Sequence, residues 1–145
     1  MHSRKTIRDL VVQALTGLPT TGSNVKASRI YTIDAQEMPC LSVYCGEEEL
    51  LEDSIEKGCS GVINMNLHID IQVESNTDFD DQLDEILSEI QVAISIERSN
   101  NTEGSLSEET VGFMYLGCEE PEYMKGERTQ ASMRVNYLVQ YEQQL

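Results

Sequence analysis

The chain has 145 residues, with 26 acidic side chains against 10 basic ones and a formal charge of −16. A surface this negative repels phosphate and argues against tight, general binding to nucleic acid, and no run approaches the ~20 apolar residues of a membrane span. One domain of this length buries roughly 68–70% of its unfolded-chain surface, so neither a disulfide nor a metal is needed to hold it together.

The opening Met1-His2-Ser3-Arg4-Lys5 is not an apolar signal core, and synthesis in the cytoplasm is expected. Ser3 is placed to cap a helix in which Ile7, Leu10, Val11, Ala14 and Leu15 recur at helical spacing. Gly17 and Pro19 stop that helix, and Thr20 to Asn24 reads as a turn. Val25 to Tyr31 reads as a strand carrying two rare positive charges, Lys26 and Arg29. Pro39 marks the edge of a second, short strand in which Leu41, Val43 and Cys45 share a face.

Between Gly46 and Gly61 the pattern breaks. Glu47, Glu48, Glu49, Glu52, Asp53 and Glu56 crowd a stretch bounded by glycines. One turn of exposed helix would fit, but an acidic loop between strands fits better, and loops of this length in compact domains tend to be functional or disordered. Exchanging Glu47, Glu48 and Glu49 for Lys should then leave folding nearly intact.

The clearest signal comes next along the chain. From Ile63 to Val73 the residues alternate without error, with Ile63, Met65, Leu67, Ile69, Ile71 and Val73 on one side of a strand. Asn64, Asn66, His68, Asp70 and Gln72 fall on the other. Such alternation predicts an antiparallel sheet with one dry face and one wet one. Thr77 with Asp80 opens a second helix, its apolar stripe made by Leu83, Ile86, Leu87, Ile90, Ala93 and Ile94. A polar loop runs to about residue 110, then a strand from Val111 to Leu116 and a turn through Pro121 and Gly126. The last strand, Ala131 to Tyr141, repeats the alternation, and only Leu138 breaks its polar side.

This order predicts an α+β fold: a single domain with a mixed or antiparallel sheet of about five strands and two helices packed on one face. Residues 46–61 and 98–110 are the loop insertions.

Catalytic chemistry has little to work with. His2 sits at the terminus, and His68 has only Asp70 near it on the same strand face, so an interface or surface role is favoured over acid–base or metal work. There is no glycine-rich phosphate loop, nucleophile elbow or His-Glu-x-x-His. Cys40, Cys45, Cys59 and Cys118 form no Cys-x-x-Cys pair and, even with His68, match no zinc spacing. Reduced thiols acting as small apolar residues are expected. Neither an enzyme, a metal site nor a cofactor is predicted.

Taken together, Arg4, Ile7, Val11, Leu15, Leu18, Thr20-Thr21-Gly22, Val25, Arg29, Tyr31 and Pro39, Leu41, Val43, Tyr44 have a familiar look. They resemble the tail terminator proteins of long-tailed bacteriophages, the minor tail protein U group. The long strand, the acidic-capped second helix and the final strand follow in the order of that family. The resemblance implies a homo-oligomeric ring, a hexamer, that caps the finished tail tube at the head-proximal end of the virion tail. It also implies contacts with the tail tube protein and a head-completion or connector protein, DNA passing through unbound, and assembly in the host cytoplasm. An acidic lumen suits that passage, because a channel that held phosphate would stall DNA.

On this reading Asn64, Asn66, His68, Asp70, Gln72, Arg134 and Asn136 are candidates for a subunit or lumen face. Glu47, Glu48, Glu49, Glu52 and Asp53 are candidates for a docking or lumen loop. The alternative is a small acidic binding or inhibitor protein, including a DNA mimic, that offers carboxylates to a basic partner.

Overall fold

The computed structural model describes residues 3–28, 38–51, 60–74, 78–124 and 130–144. Two strands form the spine of its sheet: β3, Ser60–Glu74, and β6, Gln130–Gln144, antiparallel and in register from Ser60↔Gln144 to Glu74↔Gln130. β2, Cys40–Leu50, joins the free side of β3 antiparallel, and β1, Val25–Lys26, joins β2 parallel. On the outer side of β6 lie β4, Gly112–Cys118, and then β5, Glu122–Met124. The sheet is therefore mixed and six-stranded, in the order β1-β2-β3-β6-β4, with β5 also on β6. The short β5 adds a strand that the sequence pattern does not announce: three residues inside a Glu- and Pro-containing turn carry too little periodicity to read.

Among the described residues three helices accompany the sheet: α1, Ser3–Leu15; α2, Phe79–Ser99; and α3, Leu106–Glu109. Ile7, Val11 and Leu15 are the buried side of α1, one residue per turn. Gly17, at φ 94, lets the chain leave the helix in a left-handed conformation. Thr20 then donates its backbone N–H to Glu89 Oε1 of α2 at 2.9 Å, which ties this turn to the second helix. Leu83, Ile86, Ile90 and Ile94 are the buried stripe of α2. Its first turn holds Asp80 and Asp81 and its last turn Arg98, each sign matched to the helix dipole. Thr77 lies outside the described residues, and Asp78 precedes the helix without a side-chain cap.

Two expected loops are more ordered than their composition suggests. The polar stretch 98–110 begins inside α2 and includes α3, whose Leu106 is buried among the core residues. Ser105 and Ser107 both donate to Asn100 O, and Arg98 Nη1 donates to Thr110 Oγ1 at 2.9 Å. One apolar anchor and several local polar bonds suffice to fold it. The acidic stretch 46–61 is not a loop at either end, since residues 46–50 extend β2 and residues 60–61 start β3.

One apolar cluster joins the helices to the sheet. It contains the buried residues of α1, α2 and α3, Ile63 to Val73 by odd numbers in β3, and Ala131 to Tyr141 by odd numbers in β6. The period-two reading of both long strands holds throughout. No described helix is long and apolar enough to cross a membrane.

Candidate functional site

The even-numbered side of β3 and β6 faces away from that cluster. Because residues directly opposite in an antiparallel pair share a face, the register sets the rows: Asp70 beside Arg134, His68 beside Asn136, Asn66 beside Leu138, Asn64 beside Gln140, and Gln72 beside Ser132. Across the other edge of β3, Tyr44 stands beside His68 and Ser42 beside Asp70. Asn64, Asn66, His68, Asp70, Gln72, Arg134 and Asn136, the residues singled out from the sequence, therefore do share one surface. All are half-buried.

Their side chains are bound to one another sideways. Asp70 accepts from Arg134 Nε at 3.0 Å on one oxygen and from the Tyr44 hydroxyl at 3.0 Å on the other. The Arg134 guanidinium also lies over the Tyr44 ring, 5.7 Å from its centre. That hydrogen bond to Asp70, against the opposing effect of burial, holds Arg134 above its ordinary pKa. Asn136 Nδ2 donates to Glu119 Oε2 at 3.2 Å, which leaves its Oδ1 to accept from His68 Nδ1 at 2.6 Å. Farther along, Gln140 Nε2 donates to Asn64 Oδ1 at 2.8 Å. With both Asp70 oxygens engaged by Tyr44 and Arg134, the His–Asp pair that would serve acid–base chemistry does not form. Among the described residues no group of three His, Cys, Asp or Glu side chains is placed to hold a metal ion.

Tyr44, Glu119 and Gln140 belong to this network and escape a reading of the sequence for site residues. Tyr44 is legible by alternation with Leu41, Val43 and Cys45, whereas Glu119 stands near Asn136 only because Gly117 pairs with it across the sheet. Gly46 is a further necessary part. A Cβ there would lie 2.5 Å from His68 Nε2 and 3.4 Å from Asn66 Cβ, so the bare backbone makes room for the imidazole.

Next to Gly46 the expected acidic loop resolves into something different. The register of β2 against β3 shifts between Cys45 and Glu48, a bulge in which Gly46 and Glu47 together stand against Asn66. After it, Glu48 stands opposite buried Met65 while Glu49 stands opposite Asn64. The acidic triplet is thus split between the two sides of the sheet. Glu48 accepts from Arg4 Nη1 and from the Tyr141 hydroxyl, each at 2.9 Å. Burial first, and then this bond, push the Tyr141 pKa well up. Arg4 Nη2 also donates to Gly46 O at 3.1 Å, so the bulge is fastened to the start of α1. Glu47, Glu48 and Glu49, all three exposed, line a groove on the open face with Asn64, Asn66 and Leu138. Glu52 and Asp53 lie outside the described residues.

At the opposite end of the face, Asp70, Gln72, Glu119, Glu120, Glu122, Ser132 and Arg134 surround a hollow with an excess of carboxylates. Between the two acidic depressions runs a surface of amides and one imidazole, with the Asp70–Arg134 pair at the edge of the hollow. This middle strip offers many donors and acceptors and no formal charge of its own, while carboxylates gather at both of its ends. Such a surface suits contact with another polar surface better than chemistry on a small molecule.

No curated protein matches the chain at a significant level. The family model described as phage minor tail protein U matches residues 2–141, nearly the whole chain, and the chain belongs to that family.

Proposed function

We propose that this member of the phage minor tail protein U family is a ring-forming tail terminator. Membership in the family gives the chain a structural role in the phage tail, and a closed ring is the form that we assign to that role. Copies of the chain close into a ring, a hexamer, on the head-proximal end of the tail tube. The ring stops addition of tube subunits and presents its far side to a head-completion or connector protein. Assembly takes place in the host cytoplasm, and DNA passes through without being held.

The observation that carries this reading is the open sheet face. Asn64, Asn66, His68, Gln72 and Asn136 provide uncharged donors and acceptors, and Asp70 and Arg134 cancel each other. In a chain of formal charge −16, this is a surface that like-charged neighbours can approach, or one that can line a pore without gripping phosphate. Glu47 and Glu49 at its rim are the docking or lumen residues of the proposal. The acidic surroundings fit DNA passage for the same electrostatic reason.

Mass measurement and negative-stain imaging of the purified protein, alone and with tail tubes, test the proposal. Rings, free or seated on tube ends, are expected. A protein that remains monomeric and never joins a tube end would rule it out.

A further inference from the structure

Leu138 is the one residue that breaks the polar side of β6, and the register shows what it accompanies. It stands opposite Asn66 on one flank and Met114 of β4 on the other. Met114 is 59% exposed, and Leu116, at the bulge between Tyr115 and Gly117, is 53% exposed. These side chains sit on the outermost strand beside β6, whose outward backbone groups have no strand partner among the described residues. Natural sheets usually protect such an edge with charge, because an uncharged apolar edge invites another strand. β4 reads Gly-Phe-Met-Tyr-Leu-Gly-Cys and carries no charge at all. Acidic residues bracket it instead, Glu108 and Glu109 before and Glu119, Glu120 and Glu122 after.

We propose that β4 is the strand on which a second copy of this chain docks, with Met114, Leu116 and Leu138 as its apolar anchor. The charge pattern selects the occupant. A basic partner would be drawn to the acidic brackets and gain nothing from the neutral strip between them. Two copies, each strongly negative, repel over most of their surfaces and meet at least cost where charge is absent. Edge pairing then supplies backbone hydrogen bonds, and the exposed apolar side chains supply buried area. The inference rests on the self-association of the proposed ring and names the strand that serves it. Pairing of β4 with its own counterpart would be two-fold and would close at a dimer, so within a ring β4 meets a different surface of the next copy.

Sedimentation velocity on the wild type and on the Met114→Glu/Leu116→Glu double variant, alone and with tail tubes, tests this. Both side chains are exposed, so the melting temperature should be unchanged, while the association midpoint should move to about tenfold higher concentration or beyond. If the double variant lost its melting transition, Leu138→Gln, which restores the polar alternation, would decide by the same readout. Rings that survive these substitutions overturn the β4 assignment and leave the ring intact. A wild-type dimer abolished by them supports β4 docking and overturns the ring. A wild type that is monomeric both alone and with tubes overturns both.

Discussion

The two sides of β3 are made by one unbroken stretch of chain, yet they are held by different physics. On the odd-numbered side Met65, Leu67, Ile69, Ile71 and Val73 are completely buried. Each such side chain contributes about 1.5–3 kcal/mol by leaving water. On the opposite side every even-numbered residue from Asn64 to Gln72 is only half-buried, and the bonds run sideways to β2 and β6. Those bonds add only about 0.5–1.5 kcal/mol each, since water competes for the same groups. One side therefore holds the fold, and the other holds a surface in shape. Because the pleat alone separates them, a slip of one residue in register would exchange the two sets.

The largest expected effect lies on the odd side. Leu67→Ala should cost about 2–5 kcal/mol and lower the melting temperature by roughly 10 °C or more, as seen in a thermal melt. Asn66→Ala, one residue away on the other side, should move it far less. Equal losses at the two positions would mean that the faces are not energetically distinct.

Alkaline pH probes the odd side by another route. Tyr137 is 3% exposed and packs between Phe113 and Tyr115, with ring centres 5.1 and 5.5 Å away. Burial first, and Tyr115 second, push its pKa up to about 12. The folded state therefore keeps a proton that the unfolded chain releases near pH 10, so this contribution is fully present below about pH 10. It is lost as pH rises toward about 12, at a cost of roughly 2–3 kcal/mol. Urea midpoints at pH 8 and pH 11 should fall more for the wild type than for Tyr137→Phe. Identical falls would clear Tyr137 of responsibility.

On the open side the counterpart is Asp70. Asp70→Ala removes the acceptor shared by the half-buried Arg134 and the buried Tyr44, and about 1–2 kcal/mol should be lost. A double-mutant cycle with Arg134→Ala should return a coupling of roughly 0.5 kcal/mol or more. Zero coupling would show the ion pair to be incidental, as many partly exposed pairs are.

How far the sequence discloses this division depends on the range of the interactions. Both long strands and the stripes of α1 and α2 are readable because burial imposes a period on neighbouring residues. The lateral bonds are not readable that way. That Asp70 meets Arg134, or His68 meets Asn136, depends on a register set by the whole β3–β6 pairing, with the partners 64 or 68 positions apart in the chain. The bulge is hidden for a further reason. A Gly followed by three Glu has the composition of a loop, and only the fit of Gly46 against His68 and of Glu48 against Arg4 shows why a strand continues there.

That bulge provides the finest comparison, because it divides one acidic triplet between the two sides. A uniform loop would tolerate charge reversal equally at all three positions, as its composition suggests. The structure exposes all three at the open-face groove but ties Glu48 to two partners, Arg4 and Tyr141. Glu48→Lys should therefore cost about 1 kcal/mol, the pair being discounted for its partial exposure, by placing a cation beside Arg4. Glu47→Lys with Glu49→Lys should stay within about 0.5 kcal/mol. Glu47 and Glu49 carry the functional part of the comparison. If they dock or line the lumen, their reversal should reduce tail joining in a complementation assay while the melt remains that of the wild type. Full complementation would remove Glu47 and Glu49 from the proposed surface, and contact would then rest on the amide rows from Asn64 to Gln72 and on β4.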